Sequence, residues 1–193
     1  MNPHSEARSS GARNWRKAGE GLIHTTKGKK EGSSGKTANF FVAIAFDKGV
    51  ISCEQYHSKL TGKMFAEFVK EHFSCVFRNS ANPRGKLFLQ DGDPRQCSKV
   101  ARKAMDRLGC RMFPIPARSP DINPIENIFH LVRKQLQDDA LRHRIMKETF
   151  AAFSERIKCT MKNIPVETIN KTILSMNRRM QLIVNGKGNR TKY

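Results

Sequence analysis

Two acids in this 193-residue chain stand at positions suited to metal chemistry with oxygen ligands. Asp91 closes the short apolar run KLFLQ, and Glu126 lies in the first turns of a helix introduced by the turn-rich segment SPDINP. Open α/β sheets place their sites at strand ends of this kind. On a helical wheel Glu126 falls about 100° from Ile125. That puts it on the shoulder of the face traced by Ile125, Ile128, Phe129, Val132 and Leu136, with His130 and Arg133 on the same flank. Two carboxylates brought together repel and desolvate each other, so such a pair is stable chiefly around a hard cation, here Mg2+ or Mn2+. That chemistry suits phosphodiester cleavage, in which paired metals activate a water or a hydroxyl and stabilise the leaving oxygen. The same residues also fit plainer roles: Asp91, Asp93 and Asp121 as turn and cap residues, Glu126 as a first-turn acid favoured by the helix dipole.

The elements that must position these acids are legible along the chain. NFFVAIAF is an unbroken apolar run of strand length, followed by a turn at Asp47, Lys48 and Gly49 and a second strand, VISCEQY, which together predict a β-hairpin buried on both faces. Asp47, two positions before a glycine, reads as a turn residue rather than a further site acid. Thr61 caps a predicted helix with apolar positions Phe65, Phe68, Val69 and Phe73, ending near Cys75. A short strand at Leu87, Phe88 and Leu89 leads to Asp91, and Val100, Ala101, Ala104, Met105 and Leu108 mark the next helix. Met112, Phe113 and Ile115 form another short strand before the helix that carries Glu126. Helices over 145–157 and from Pro165 to about Val184 complete the pattern.

This alternation predicts an α/β fold with a mixed sheet and a helical C-terminal extension. The expected divisions are a basic, glycine-rich arm over 1–36, a core over 37–137, helices over 138–184 and a basic tail over 185–193.

Composition points to the partner. Thirty-six Lys and Arg against 17 Asp and Glu leave a net charge of +19, which implies a polyanion. Charge alone does not separate DNA from RNA, so a general RNA-binding protein stays open. Arg13, Arg16, Lys17, Lys27, Lys29, Lys30 and Lys36 in the arm, and Arg118 beside the SPDINP turn, are the candidate phosphate contacts. Trp15 is an anchor for the arm or a base-stacking platform. Gly35, Lys36 and Thr37 do not make a phosphate-binding loop of the P-loop type, because Lys30 stands where the first glycine is needed. His57, His72 and His130 lack metal-ligand spacing, and the five scattered cysteines suggest reduced thiols packed in the core. No apolar run approaches a membrane span and MNPHSEARSS lacks the apolar stretch of a secretory signal, so a nuclear protein without a membrane partner is expected.

FLQDGDP followed by IPARSPDINPIENIFHLVRKQL resembles the second and third acidic motifs of Tc/mariner-superfamily transposases, a D-x-D-P turn and then S-P-D-x-N-P-I-E-N. Thirty-four residues separate Asp91 from Glu126, the spacing typical of the branch whose last acid is glutamate. NWRKAGEG, GSSGK, FAEFVKEHF and GNRTKY resemble the family in the same order, so the likeness covers nearly the whole chain. It implies a ribonuclease H-like fold, Asp91 and Glu126 as catalytic ligands for Mg2+ or Mn2+, and excision and integration of double-stranded DNA, with another transposase subunit as a partner. It also implies a first catalytic Asp on an earlier strand and an N-terminal helix-turn-helix region, neither of which has a counterpart here. The expectation is therefore a transposase-derived domain that does not cut DNA as a separate chain. The alternative is a non-catalytic DNA-binding remnant or domesticated fragment.

Overall fold

The computed structural model describes residues 37–113, 115–116, 119–145 and 148–186. The chain divides between Thr37 and Ala38, one residue from the expected boundary, and the architecture below is that of the second unit. Arg13, Trp15, Arg16, Lys17, Lys27, Lys29, Lys30, Lys36, Arg118 and the basic tail from Lys187 lie outside the described residues.

The hairpin forms as expected, with β1 (Asn39–Ala45) antiparallel to β2 (Gly49–Tyr56) and a register shift between Ala43 and Ile44. Asp47 and Gly49 take left-handed backbone angles, with φ of 57° and 74°, which Asp and Gly tolerate in tight turns. The run is apolar on both faces because each face meets a different core. Phe41 and Tyr56 join one cluster, while Phe40, Val42, Ile44 and Cys53 join another.

The first core lies under α1 (Gly62–Arg78), whose N-cap Thr61 accepts a hydrogen bond from the Met64 amide at 3.2 Å. This helix runs about one turn beyond the predicted end near Cys75, closing at Asn79. Its aromatic ridge covers both strand pairs. Phe68 stacks on Phe41 of β1 at 4.2 Å between ring centroids, and Phe73 meets Phe88 edge-on at 5.5 Å. Phe88 belongs to β3 (Leu87–Leu89), which pairs in parallel with β4 (Arg111–Phe113). The parallel pairing requires a crossover, supplied by α2 (Lys99–Arg107). Among the described residues the strands form two two-stranded sheets, one antiparallel and one parallel, so both kinds of pairing of the expected mixed sheet are present.

The second core joins the hairpin to three helices: α3 (Pro124–Arg142), α4 (Phe150–Lys162) and α5 (Val166–Asn185). Ile128 and Ile169 are fully buried there, beside Cys53, Val132, Met161 and Ile164. α3 runs through position 137 without a break, and α4 and α5 make up the helical C-terminal part expected from the sequence. The helix predicted from Ile145 begins at Phe150 instead. Arg144 turns the chain at φ 50°, and the Thr149 side chain caps α4 by accepting from the Ala152 amide. The Asp47 amide donates to Asn170 Oδ1 at 2.8 Å and the Asp47 carboxylate accepts from Asn170 Nδ2 at 2.7 Å, so Asp47 ties the hairpin turn to α5. The cysteines are all free thiols, but only Cys53 is buried; Cys75 and Cys159 are exposed, contrary to a core role for all five. His72 packs against Phe68, while His57 and His130 are exposed.

Candidate active site

Asp91 lies two residues beyond the C-terminal end of β3, the end at which parallel strands present side chains to a site. Glu126 is the third residue of α3, after a 3-10 turn at Pro120–Ile122 and the proline at the helix start. The two segments bring the acids within each other's electrostatic reach. Burial pushes the Glu126 carboxyl above its ordinary value, the negative charge of Asp91 adds to this, and Arg133 two turns along α3 offsets part of it. A carboxylate in the first turn of a helix is ordinarily favoured by the dipole. Burial is the largest cause of the net upward shift.

Asp93, the rival acid of the same loop, has a different job. Its side chain is buried and accepts from the Arg95 amide at 2.8 Å and from Arg95 Nε at 2.9 Å, with a further ion pair to Nη2. Its carbonyl also accepts from the Cys97 amide. The hydrogen bonds from Arg95 hold the Asp93 carboxyl below its ordinary value. Asp93 thus shapes the turn, and it is the charge of Asp91 that reaches Glu126. Arg95 also feels the charge of Asp91. Sequence reasoning passed over Arg95, although its position two residues after an acid in a D-P turn was a usable signal.

A second missed group comes from α5. Arg179 is 3% exposed, and its Nη1 donates to the Asp121 carbonyl at 3.0 Å and to Asn127 Oδ1 at 2.6 Å. It therefore grips both sides of the segment that presents Glu126. No sequence signal distinguished it from its exposed neighbour Arg178.

The donor set is two carboxylates, one of them raised by burial and by the other, which suits a hard divalent cation that would relieve both costs. Among the described residues no group of three or more His, Cys, Asp or Glu side chains is arranged to hold a metal ion. A cleft of about 460 Å³ lined by Lys48, Val50, Ile51, Arg78, Asn79 and Ser80 shares no residue with the two acids.

Residues 4–149 match the DDE superfamily endonuclease family, and the chain belongs to that family. It is 33% identical over 110 residues to the transposable element Tc1 transposase of Caenorhabditis elegans, covering 57% of this chain and 38% of that one. Against the Tcb2 transposase of Caenorhabditis briggsae it is 30% identical over 127 residues, 66% of this chain and 44% of the relative. The chain thus spans less than half the length of these curated relatives. Its fold is similar to the Mos1 mariner transposase in a strand transfer complex, with a TM-score of 0.69, 15% identity, and coverage of 93% of this chain and 50% of that one. The fold is the ribonuclease H-like one expected from the motifs.

The raised carboxyl of Glu126 has a consequence for stability. Because its folded pKa lies above the unfolded value, this group favours folding fully below the ordinary glutamate range of about 4.3, and that contribution is lost as pH rises through the folded value. At neutral pH in metal-free buffer, Glu126→Gln is therefore expected to raise the melting temperature. The gain should shrink toward acid pH. Thermal melts across this range check it, and a variant less stable than the parent at neutral pH would contradict it.

Proposed function

We propose that this unit is the catalytic core of a DNA transposase, acting in the nucleus on double-stranded DNA to cleave it and transfer the strand, together with another transposase subunit. Asp91 and Glu126 hold Mg2+ or Mn2+ in this reading. When bound, the cation would polarise a phosphodiester and lower the pKa of an attacking water or hydroxyl. The chain's own residues supply the oxygen ligands, and the buried environment of Glu126 strengthens its pull on a cation. Arg95 keeps the Asp91 loop in shape through Asp93.

The observation that carries the reading is the placement of Asp91 just beyond β3 and of Glu126 in the first turn of α3, two acids separated by 34 residues in sequence whose charges interact, with Glu126 shifted upward chiefly by burial. Such perturbed pairs cluster at functional sites. The family membership supports it, as does the Mos1 catalytic domain with raltegravir and Mn, a fold neighbour with a TM-score of 0.60, 14% identity, and coverage of 80% of this chain and 83% of that one. A non-catalytic, DNA-binding role is the second reading, favoured by the net charge of +19, which serves phosphate contacts without any metal.

Manganese binding separates the two. Water-proton relaxation with Mn2+ is expected to show binding by the chain that weakens about tenfold or more on Asp91→Ala with Glu126→Ala. Equal Mn2+ binding by parent and double variant would remove the proposed site.

A further inference from the structure

The proposed metal pair leaves open what holds Glu126 in place. α3 begins at Pro124, and its N-cap Asn123 makes no side-chain capping bond, so the first turn carrying Glu126 is not fastened by its own cap. A first turn without that bond is the weakest part of a helix. Arg179 reaches it from α5, 52 residues beyond Asn127 in sequence. One nitrogen of its guanidinium donates to the Asp121 carbonyl in the 3-10 turn and to the Asn127 side chain in the first turn. Asp121 precedes Glu126 and Asn127 follows it, so the two contacts bracket the acid.

An apolar side chain would fill this buried position at lower desolvation cost. What the guanidinium adds is a rigid fork of donors bonded at two fixed points. The packing of α3 on α5 does not depend on it, because Ile128 and Ile169 share the apolar core independently. Resting on the metal-site reading above, we infer that Arg179 is a positioning residue: it clamps the Asp121–Asn127 segment and so sets where the Glu126 carboxylate lies relative to Asp91. α5 is then part of the site, although it contributes no acid to it.

The test uses the 193-residue chain with Arg179→Met, Arg179→Lys and, as a control that loosens the same helix pair without touching the clamp, Ile169→Ala. Affinity for Mn2+ is read by water-proton relaxation at a temperature where circular dichroism shows each variant folded. Outer-shell partners of metal ligands typically contribute 10- to 100-fold in affinity, so Arg179→Met is expected to bind Mn2+ about tenfold or more weakly. Arg179→Lys should recover part of this, because an ammonium can serve one of the two acceptors. Ile169→Ala should melt earlier yet keep its affinity within about twofold. Parent-like affinity in Arg179→Met, or an equal loss in Ile169→Ala, would overturn the inference.

A second readout keeps this separate from the metal assignment. In 15N spectra without metal, Arg179→Met should shift the Asn127 side-chain amide and the Glu126 backbone amide far more than the amides of α4. If the parent chain fails to bind Mn2+ through Asp91 and Glu126, the function reading falls and the spectra alone decide: unmoved signals at Asn127 and Glu126 end the clamp, and moved ones sustain it. Should Arg179→Met not fold, Asn127→Ala removes one acceptor from the other side and is expected to weaken Mn2+ binding in the same direction. Unchanged affinity there would count against the clamp.

Discussion

Nicking of duplex DNA in Mn2+ by a protein that contains this unit is expected to fall by about a thousandfold or more when Asp91 and Glu126 are both replaced by alanine. Either single replacement should lose nearly as much as the pair. Ligands of one metal site act as a unit, and removing one leaves the other unable to complete the coordination. The measurement is conversion of supercoiled plasmid to open circle, comparing the parent protein, the two single variants and the double variant. Nicking by the double variant at the parent rate would sink the assignment of both acids. Nicking by the 193-residue chain that vanishes in its double variant would show that a further carboxylate within it completes the site. Asp47 is a poor candidate, because its carboxylate is engaged with Asn170 at the hairpin turn.

Binding to duplex DNA should be steeply salt-dependent and indifferent to sequence. The net charge of +19 has exposed representatives on the described surface, among them Lys99, Arg102, Lys103 and Arg107 on α2 and Arg133 and Lys134 on α3. Each phosphate neutralised releases condensed counterions, so a protein making about 6–10 such contacts loses roughly 10³–10⁵ in affinity between about 50 and 200 mM salt. Fluorescence anisotropy with labelled duplexes across that range gives the slope directly. A flat response would exclude phosphate contacts as the source of affinity. A steep slope with no preference for duplex DNA over structured RNA would instead favour general RNA binding.

What the sequence determined by itself was local or motif-borne. The hairpin turn was legible because Asp47 and Gly49 accept left-handed backbone angles, and the start of α1 because Thr61 offers a capping hydroxyl. The α2 and α3 helices followed from apolar spacing, and the family from two acidic motifs that stay contiguous in the chain. Tertiary structure decided the rest. The alternating residues of β1 face two different cores, which an unbroken apolar run implies without naming the elements that cover it. The helices of the C-terminal extension pack on β2, because Met161, Ile164 and Ile169 bury against Cys53 and Ile128. The burial of Arg179 beside an exposed Arg178 is set by the rotation of α5 against α3. Helical periodicity alone could not have told the two arginines apart, since which one turns inward depends on a carbonyl and an amide more than 50 residues away.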